Sequence, residues 1–459
     1  MSVVIASSQD AFRLMMEGSE ALTDITENGM RIDVPYLDRV LEESAALTEQ
    51  IKVELRGDDI YRIWQKVFGT SADIGSRDQL SRVLYQELGI EVKSTTRKGK
   101  AKTDVEAFEG IDLPFVARWV TLQKLIKARS TYLLGIRRET VDGILRANFL
   151  LNIANTFRSS CRDPNIQNQP IRDPKMAKLI RRAFIPRDDH VLVETDYGAL
   201  EFRGAAMFWK DPAMVAYASD PTLDIHRDMA SECYLLERDD VSKPARTFAK
   251  NKFVFPVLYG SYWGNCAPHL WGEIERNNIK SKAGVPLYEH LKQKGITRLG
   301  DKKDTGPGTY TGHVKQVEKR FNDRFSYWSS QKQVWWESYL KRGWFPMATG
   351  FVCQGIYTYN DLMNYPIQGS SFHCTLWSLI QINRELKRRR MRSMVVGQIH
   401  DSIIGDVHRS ELDDYLELVV RIMTKDIRDH WRWINVPLEV EAEVGERNWF
   451  EKKAYSLVA

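Results

Sequence analysis

Apolar residues recur at steps of three and four positions over long stretches of this chain, which is the pattern of amphipathic helices. The clearest case runs from position 34 to 55, and a second helix, rich in basic residues, is predicted from about 114 to 138. The same spacing predicts helices over 199–218, 224–236, 243–258, 313–341, 368–390 and 411–431. The segment 280–312 combines many Lys and Gly residues, and we expect it to be a flexible insertion.

Short apolar runs bounded by Pro and polar turn residues predict strands between these helices. The runs lie at 144–153, 190–196 and 438–444, and an apolar hairpin is expected over 394–407. No internal repeat with a period of about 20 to 50 residues is visible. Strands separated by helices, with one helical block inserted among them, indicate an α+β fold that carries a helical excursion.

The composition is that of a globular chain rather than of a nucleic-acid coat or a membrane protein. Its 459 residues are 43% hydrophobic and carry a formal net charge of +5, so a site for a polyanion must be a local patch. The five cysteines are scattered and form no C-x-x-C pair, which argues against a disulfide framework or a structural zinc site. Neither a signal peptide nor an apolar stretch of ~18 residues is present, so we expect a reducing, cytoplasmic location.

A run of small polar and basic residues, 93–102, lies between two predicted helices and contains Lys98 and Lys100. Runs of this kind are often no more than solvated surface loops. The helix that follows is also basic, so contact with nucleic-acid phosphates is a comparable alternative for both lysines.

Two aspartates stand where apolar strands end. Asp196 follows the apolar run 191–193, and Asp401 lies in a tight turn between two apolar strands. Either aspartate alone would be ordinary turn chemistry. Together, carboxylates at adjacent strand ends can hold two Mg²⁺ ions ~4 Å apart, one activating an attacking hydroxyl and one neutralising the leaving phosphates. The pair therefore predicts phosphoryl transfer, in which catalysis is mostly positioning and charge stabilisation.

Three segments add a shared order and spacing to this pair. They read DYGALEFR at 196–203, RTFAKNKFVFPVLYG at 246–260 and QIHDS at 398–402. Together they resemble the three motifs of family A DNA polymerases, the DNA polymerase I family, whose patterns are D-Y-S-x-x-E-L-R, R-x-x-x-K-x-x-x-F-x-x-x-Y-G and V-H-D-E. Further matches in the same order lie near 158–168, 224–227, 364–369 and 444–449, so the resemblance covers most of the chain.

The resemblance implies a right-hand polymerase fold with a thumb, a palm built on an antiparallel sheet, and helical fingers. We expect the thumb over 1–142, the palm over 143–203 and 343–459, and the fingers over 204–342. It implies a DNA-dependent DNA polymerase that binds primer-template DNA and adds dNTPs to a primer 3′-hydroxyl, with two Mg²⁺ ions or Mn²⁺ as a substitute. A related RNA polymerase or reverse transcriptase, and a catalytically silent primer-template binding protein, are the alternatives.

The resemblance also assigns the reacting groups. Asp196, Asp401 and the backbone carbonyl of Tyr197 would bind the metal ions. Arg246 and Lys250 are four residues apart, so on a helix they share a face and can both reach a triphosphate. Lys250 would thereby take part in catalysis.

The remaining nucleotide contacts follow in the same way. His226 would donate to the same phosphates, although a lone histidine is more often a packed core residue. Glu201 would block the space of a ribose 2′-hydroxyl, which favours deoxynucleotides over an RNA polymerase function, and Phe255 would lie beside the sugar. Tyr259 would stack at the templating position, where an aromatic face accepts every base.

Contacts with the duplex are assigned to a further group of polar residues. The resemblance implies that they touch the minor groove and sense base-pair geometry rather than sequence. Each of them could instead be an ordinary structural hydrogen-bonding group. The group comprises Arg158, Gln167, Asn364, Gln368 and His400.

The chain departs from the family pattern at three places. Five residues lead from Lys250 to Phe255 where the family has four. Either the helix carries a local bulge, for which a single π-type turn would restore the helix face, or the match of Arg246 and Lys250 to the motif is off by one. Ser402 replaces the family's Glu beside Asp401, which puts a third carboxylate in doubt. Gly198 and Ala199 replace the usual Ser and Gln.

The thumb-like sequence begins within about 20 residues of the first position, which leaves no room for an N-terminal proofreading exonuclease. A phage-like polymerase domain is therefore expected, with a separate exonuclease or a processivity protein as possible partners. Its location would be the cytoplasm of a bacterial or phage-infected cell, and an organelle is not excluded.

Overall fold

A computed structural model describes residues 7–92, 100–109, 111–170 and 173–456 of the chain. Lys98 lies outside these ranges, whereas Lys100 is described and exposed to solvent. Among the described residues, no helix has the length and apolar character needed to cross a membrane.

The N-terminal region is mainly helical. Ser7 begins the first helix with a capping box, because its side chain accepts from the Asp10 N–H and the Asp10 carboxylate accepts from the Ser7 N–H. The helices predicted over 34–55 and 114–138 are confirmed, the latter with a π turn at 128–133. The elements are α1 (Ser8–Asn28), β1 (Met30–Arg31), α2 (Val34–Arg56), α3 (Asp59–Phe68), α4 (Arg77–Arg82), α5 (Val105–Glu109), α6 (Pro114–Lys127) and α7 (Leu134–Glu139).

Short strands and one long strand follow. The run 144–153 contains two short strands rather than one, whereas the strand predicted over 190–196 is confirmed. The elements are β2 (Thr140–Val141), β3 (Ile144–Leu145), β4 (Asn148–Leu150), β5 (Ser160–Arg162), α8 (Pro174–Arg181) and β6 (His190–Tyr197).

Nine helices occupy the next 143 described positions, 200–342. The helix predicted over 199–218 is broken, because Lys210 adopts a left-handed conformation and Asp211 caps a new helix that starts at Pro212. The segment 313–341 is likewise two helices, which meet at Phe325. The elements are α9 (Leu200–Trp209), α10 (Pro212–Ser219), α11 (Ile225–Tyr234), α12 (Lys243–Ala249), α13 (Phe255–Leu258), α14 (Trp263–Asn277), α15 (Leu287–Gln293), α16 (Tyr310–Arg324) and α17 (Ser326–Arg342).

The prediction that the segment 280–312 is a flexible insertion is wrong. Helix α15 lies within this segment, and Leu287 and Leu291, four positions apart on one helix face, are both fully buried in the main core. Ile296 joins them. A single pair of leucines at helical spacing outweighs the abundant Lys and Gly residues around it, because burying each side chain stabilises the fold by about 1.5–3 kcal/mol.

The C-terminal region completes the sheet. The predicted hairpin and last strand are confirmed, and the helix expected over 368–390 begins earlier, at Tyr359, where Thr358 and Asp361 form a capping box. The elements are β7 (Trp344–Pro346), β8 (Val352–Gln354), α18 (Tyr359–Arg389), β9 (Met394–Ile399), β10 (Ser402–His408), α19 (Leu412–Arg421), α20 (Ile427–His430), β11 (Val440–Gly445) and β12 (Lys453–Tyr455).

A five-stranded antiparallel sheet in the order β12–β11–β6–β10–β9 lies at the centre of this arrangement. Side chains alternate between its two faces. Val193 and Tyr197 of β6 belong to the main core with helices α9 and α18, whereas Leu192 belongs to a second core that contains residues of α2. Glu194 and Asp196 alternate with Val193 and Tyr197, and therefore lie on the second face.

Helix α1 packs with this sheet and with α18, because Leu14, Leu22 and Ile25 belong to the main core. Its Asp24 also accepts hydrogen bonds from Asn383 and Lys387 of α18. The division of the sequence assigned α1 to the thumb, whereas its contacts are with elements assigned to the palm. The domain boundaries otherwise stay a prediction.

Helices α9 and α18 approach closely at Gly204. A Cβ atom at this position would lie 2.2 Å from the Ser371 hydroxyl oxygen, although its next neighbours would be at 3.5 Å or beyond. The Ser371 hydroxyl is buried and has no hydrogen-bond partner in the described chain. The contact matters because α9 carries Glu201 and α18 carries Gln368.

We predict that Gly204→Ala lowers the free energy of unfolding by roughly 1–3 kcal/mol, because the added methyl group overpacks this contact. Ser371→Ala should be neutral or stabilising, since it removes an unpaired buried hydroxyl. In the double variant the clash is absent and alanine favours the helix over glycine by about 1 kcal/mol, so stability should return to the wild-type value or above. Chemical denaturation of the four proteins measures this; simple additivity of the two changes would contradict the contact.

Candidate active site

Asp196 and Asp401 come together at one edge of the sheet. β6 and β10 are antiparallel, and Ser402, the residue after Asp401, lies opposite Asp196. His400 reverses the chain between β9 and β10 with φ of 53°, a left-handed conformation that is costly for a residue other than glycine. The structure thus brings together the two carboxylates that the sequence singled out.

The electrostatics of the pair are unfavourable to two negative charges. The Asp196 side chain is reached by solvent from one side and enclosed by protein on the others. Burial, with the nearby charges of Asp401, Glu194 and Glu441, raises its pKa to about 7, and Lys250 acts in the opposite direction. Burial also raises the pKa of Asp401.

One carboxylate oxygen of Asp401 lacks a hydrogen-bond partner in the described chain. This atom, Oδ1, is buried. Arg158 and Lys250 act to lower its pKa without overcoming the effect of burial. A carboxylate oxygen in this condition is a strong potential ligand for a cation, because a buried charge must be paired or bound to a metal.

The negative charge of Glu194, the other carboxylate of β6, is already paired within the protein. Glu194 forms an ion pair with Lys452 and accepts a hydrogen bond of 2.7 Å from the indole nitrogen of Trp449. Burial would raise its pKa, but these partners hold it below the ordinary value. The Ser402 hydroxyl lies 3.3 Å from Glu194 and 2.9 Å from the Ile399 carbonyl oxygen, so it is turned toward β6 and β9.

The residues present fit a divalent metal ion that prefers oxygen ligands. No cluster of three His, Cys, Asp or Glu side chains occurs in the ranges that the structure covers, so the carboxylate ligands would number two. Tyr197 could add only its backbone carbonyl, because its hydroxyl is engaged in the core with Ser378 at 2.8 Å and the Met423 carbonyl at 2.9 Å. Hard cations such as Mg²⁺ complete such partial sites with water and phosphate oxygens.

A continuous helix formed by α12, a π turn at 250–254 and α13 carries four of the six predicted nucleotide contacts, Arg246, Lys250, Phe255 and, at its C-terminal end, Tyr259. The expected π turn is therefore confirmed, and it absorbs the extra residue after Lys250. The rings of Phe255 and Tyr259 stack at 6.0 Å, and the Lys250 ammonium lies 5.2 Å from the centre of the Phe255 ring. Val254, which a count of four from Lys250 would select, is fully buried.

Arg246 lies on this helix and His226 packs against it, and the two side chains differ in their hydrogen bonding. Arg246 donates a hydrogen bond of 2.6 Å to Asp224, so its charge is engaged within the protein. His226 packs edge-on against Phe255 at 5.4 Å, and both of its buried ring nitrogens lack a partner in the described part of the chain. Burial, with Lys250 and Arg246, lowers its pKa to about 3, so the neutral ring can donate one hydrogen bond.

Glu201 and Arg158 form an ion pair of 3.4 Å beside this cluster. Burial raises the pKa of Glu201, with a further contribution from Asp401, while Arg158 and Lys250 oppose the rise. Burial and the Glu201 charge also raise the pKa of Tyr259. Glu201 therefore lies within electrostatic reach of four other predicted site residues, Arg158, Asp401, Lys250 and Tyr259.

The residues predicted to contact DNA divide into two groups. Asn364 and Gln368 are one turn apart on α18 and half-buried, and His400 is exposed at the turn before Asp401. Gln167 is different, because it is only 8% exposed and its amide nitrogen donates to Ser159 and Gln398. A groove contact from Gln167 would require it to give up these bonds, and its contact with DNA stays a prediction.

The sequence interpretation missed Glu194 and Glu441. Glu194 precedes Asp196 by two positions, so strand periodicity alone puts both side chains on one face. Glu441 lies directly opposite Asp196 on β11. The period-two signal of β6 could have identified the first, whereas the second depends on which strands pair.

Comparison with known proteins gives consistent results. The family model for DNA polymerase family A matches residues 42–281 and 358–451. DNA polymerase I of Lactococcus lactis subsp. cremoris is 28% identical over 445 residues, and the match covers 95% of this chain and 45% of that protein. Thermostable DNA polymerase I of Thermus aquaticus is 26% identical over 445 residues, with 95% and 47% covered. The chain thus spans slightly less than half the length of these curated relatives.

A solved structure gives the same fold. The POL domain of Pol1 from M. smegmatis, in complex with DNA primer-template and dNTP, superposes with a TM-score of 0.73. The match has 22% sequence identity and covers 95% of this chain and 70% of that chain. The predicted α+β fold of a right-hand polymerase is thereby confirmed.

We predict that Asp196→Asn raises the stability of the metal-free protein at pH 8. The folded-state pKa of Asp196 is about 7, above its ordinary value of 3.8, so the wild type loses stability as the pH rises between these values. Because solvent reaches this carboxylate, we expect a gain of about 1 kcal/mol at pH 8 that shrinks at pH 5.5. Thermal unfolding in a chelator measures it.

Asp112→Asn is the matched control for this substitution, because Asp112 is exposed and lies outside the site. It should leave stability unchanged at both pH values. A lower stability of Asp196→Asn at pH 8 would contradict the electrostatic description, since it would mean that the protein already compensates the Asp196 charge.

Proposed function

Because this chain belongs to DNA polymerase family A, we propose that it is a DNA-directed DNA polymerase that adds dNTPs to a primer 3′-hydroxyl along a template. The observation that carries this proposal is the meeting of Asp196 and Asp401 opposite the helix that bears Lys250. Two adjacent carboxylates and a facing lysine are the charges that positioning of a nucleoside triphosphate requires. Primer-template DNA and dNTPs would be its binding partners.

Polymerases of this family depend on metal ions. We propose that two Mg²⁺ ions, replaceable by Mn²⁺, bind to Asp196, Asp401 and the backbone carbonyl of Tyr197. The unpaired Oδ1 of Asp401 and the raised pKa of both carboxylates support this assignment. When bound, the ions would activate the primer hydroxyl and neutralise charge on the phosphates.

Lys250, Arg246 and His226 would hold the triphosphate. The charge of Lys250 acts on both aspartates, so this residue would stabilise charge that develops on the reacting phosphate. His226 would donate its single N–H to a phosphate oxygen. Arg246 would exchange its bond with Asp224 for one with phosphate, a trade between two charge-assisted hydrogen bonds.

Glu201, Phe255 and Tyr259 would form the pocket for the sugar and base. The ion pair with Arg158 fixes the Glu201 carboxylate on one side, where it would exclude a 2′-hydroxyl. The stacked rings of Phe255 and Tyr259 provide an apolar surface next to Lys250. Arg158 would contribute to the minor-groove contacts when the duplex is bound.

Asn364, Gln368 and His400 would supply the other contacts with the duplex, and the exposed Lys100 would contact its backbone. The unpaired buried Oδ1 of Asn364 supports a ligand at this position. We also propose a cytoplasmic location, which the bacterial organisms of the relatives support.

Primer extension tests the function. Wild-type protein in Mg²⁺ should extend a primer on a DNA template with dNTPs, and Asp401→Asn should reduce the rate by at least a hundredfold while primer-template affinity changes little. Asp323→Asn, at an exposed position on α16, is the matched control and should extend normally. Binding without extension would indicate a silent binding protein. Faster use of rNTPs or of an RNA template would favour the related polymerases.

Dideoxynucleotide use tests the position of Phe255. A dideoxynucleotide lacks a 3′-hydroxyl, and the Phe255 ring cannot replace the lost hydrogen bond to phosphate. We predict that Phe255→Tyr raises dideoxynucleotide incorporation relative to dNTP at least about tenfold, since one hydrogen bond to a charged group is worth ~1.5–3 kcal/mol. Competition between the two nucleotides in single-nucleotide addition measures this.

Phe248→Tyr is the matched control for this prediction, because Phe248 lies on α12 and packs partly buried against the core. It should leave the selectivity unchanged. Val254→Tyr is unsuitable, since Val254 is fully buried and a larger residue there would destabilise the fold. An equal response in both Phe variants, or none in Phe255→Tyr, would contradict the register set by the π turn.

A further inference from the structure

The direction of the Asp401 side chain is not set by its own hydrogen bonds. Its Oδ1 is buried without a partner in the described structure, so the carboxylate takes its position from the turn that carries it. That turn includes His400 in a left-handed conformation, which a histidine does not favour by itself. The Ser402 hydroxyl holds one side of this turn by donating to the Ile399 carbonyl oxygen, and a second side-chain bond reaches the turn from β9.

Gln398 supplies the bond that reaches the turn. This residue is fully buried at the end of β9, and its side-chain nitrogen donates to the His400 carbonyl oxygen. Its side-chain oxygen accepts from the Ser159 hydroxyl at 2.6 Å and from the Gln167 amide at 2.9 Å. Gln398 therefore connects the turn to a segment more than 230 positions earlier in the chain.

Gln167 closes the network from the other side. Its amide nitrogen donates to the Ser159 hydroxyl at 2.9 Å and lies 3.2 Å from the Gln398 backbone carbonyl. Asn165 in turn caps the backbone N–H of Gln167 at 3.0 Å, which fixes the segment that presents it. Buried networks with satisfied members select one arrangement, because any other leaves a polar group unpaired in a low-dielectric interior.

We propose that Gln398 and Gln167 are positioning residues that act through the His400 carbonyl to set the place of the Asp401 carboxylate. This inference rests on the proposed function, in which Asp401 binds metal. Neither glutamine needs to touch DNA, nucleotide or metal for this role. A displacement of ~1 Å at a reacting group can lower a rate by about a hundredfold, so a small relaxation of the turn is sufficient.

The structure also provides a closely matched comparison residue. Gln169 is two positions from Gln167, is 7% exposed against 8%, and makes no side-chain hydrogen bond to any residue that the structure describes. Replacement of either glutamine by methionine keeps a long side chain and removes the amide. Gln167→Met and Gln169→Met therefore change the side-chain volume equally, and only Gln167→Met breaks the hydrogen-bond network.

The experiment measures metal affinity, stability, DNA affinity and single-turnover rate for Gln398→Met, Gln167→Met and Gln169→Met. Mn²⁺ is the probe, and its binding is followed by electron paramagnetic resonance in the absence of DNA. We expect Gln398→Met and Gln167→Met to weaken Mn²⁺ binding at least fivefold and to slow nucleotide addition at least tenfold. Primer-template affinity should stay within twofold, and Gln169→Met should match the wild type throughout.

Two outcomes would overturn the proposal. Folded Gln398→Met or Gln167→Met protein with wild-type Mn²⁺ affinity would show that the network does not set the metal site. Weaker DNA binding by Gln167→Met at unchanged Mn²⁺ affinity would make Gln167 a DNA contact instead. Should Gln398→Met fail to fold, Ser159→Ala, which removes two bonds of the network at a half-buried position, is expected to give a two- to threefold effect in the same direction.

A failure of the proposed polymerase function gives a different result from a failure of the proposed positioning role. Wild-type protein that binds Mn²⁺ but extends no primer would contradict the polymerase activity, and the glutamine variants would still report whether the network sets the metal site. Loss of extension in the variants at unchanged Mn²⁺ affinity would leave the polymerase function standing and reject the network's proposed action.

Discussion

Two carboxylates of like charge are held side by side at the edge of the central sheet, and the protein supplies only part of the positive charge that they require. The antiparallel pairing of β6 with β10 forces Asp196 next to the turn that carries Asp401. Two like charges ~4 Å apart repel by about 4 kcal/mol at an effective dielectric constant of 20. Burial raises the pKa of both carboxylates, and the charge of Asp401 adds to the rise at Asp196. The neighbouring Glu194 is paired with Lys452, whereas Glu441, opposite Asp196 on β11, adds to the negative charge at the site.

The rest of the site is arranged around the incompletely compensated negative charge of Asp196 and Asp401. The helix formed by α12, the π turn and α13 presents Lys250 toward both carboxylates, and the π turn keeps Phe255 and Tyr259 on the same face despite an extra residue. A straight α-helix with the same sequence would rotate the second half by about 100°, because each residue adds that angle. It would then present the fully buried Val254 to the site.

Local patterns in the sequence were sufficient for much of the fold. Helix α2, strand β6 and the β9–β10 hairpin follow from periodicity over a few residues, and the strand-end positions of Asp196 and Asp401 follow from those elements. The π turn was also predictable, because the family motif has four residues from the lysine to the phenylalanine and this chain has five from Lys250 to Phe255. Each of these features depends on neighbours in the sequence.

Features that depend on tertiary contacts were missed or misplaced. The segment around α15 is ordered because Leu287 and Leu291 are buried by the main core, which composition cannot indicate. Gln167 was assigned to DNA from the family resemblance, whereas its hydrogen bond to Gln398, 231 positions away, could not be foreseen. The packing of helix α1 on α18, with Asp24 and Lys387 in contact across 363 positions, likewise has no local signal. Hydrogen bonds and packing between distant segments leave no local signal.

The central claim is that the meeting point of β6 and the β9–β10 turn is the metal site. Replacing Mg²⁺ with Fe²⁺, and adding ascorbate and peroxide, generates radicals that cut the backbone next to the bound ion. Mass spectrometry of the fragments should locate cuts near Asp196 and Asp401; excess Mg²⁺ should suppress them, and Asp196→Asn should abolish them. Cleavage at other positions, or none near this pair in protein that extends primers, would contradict the account.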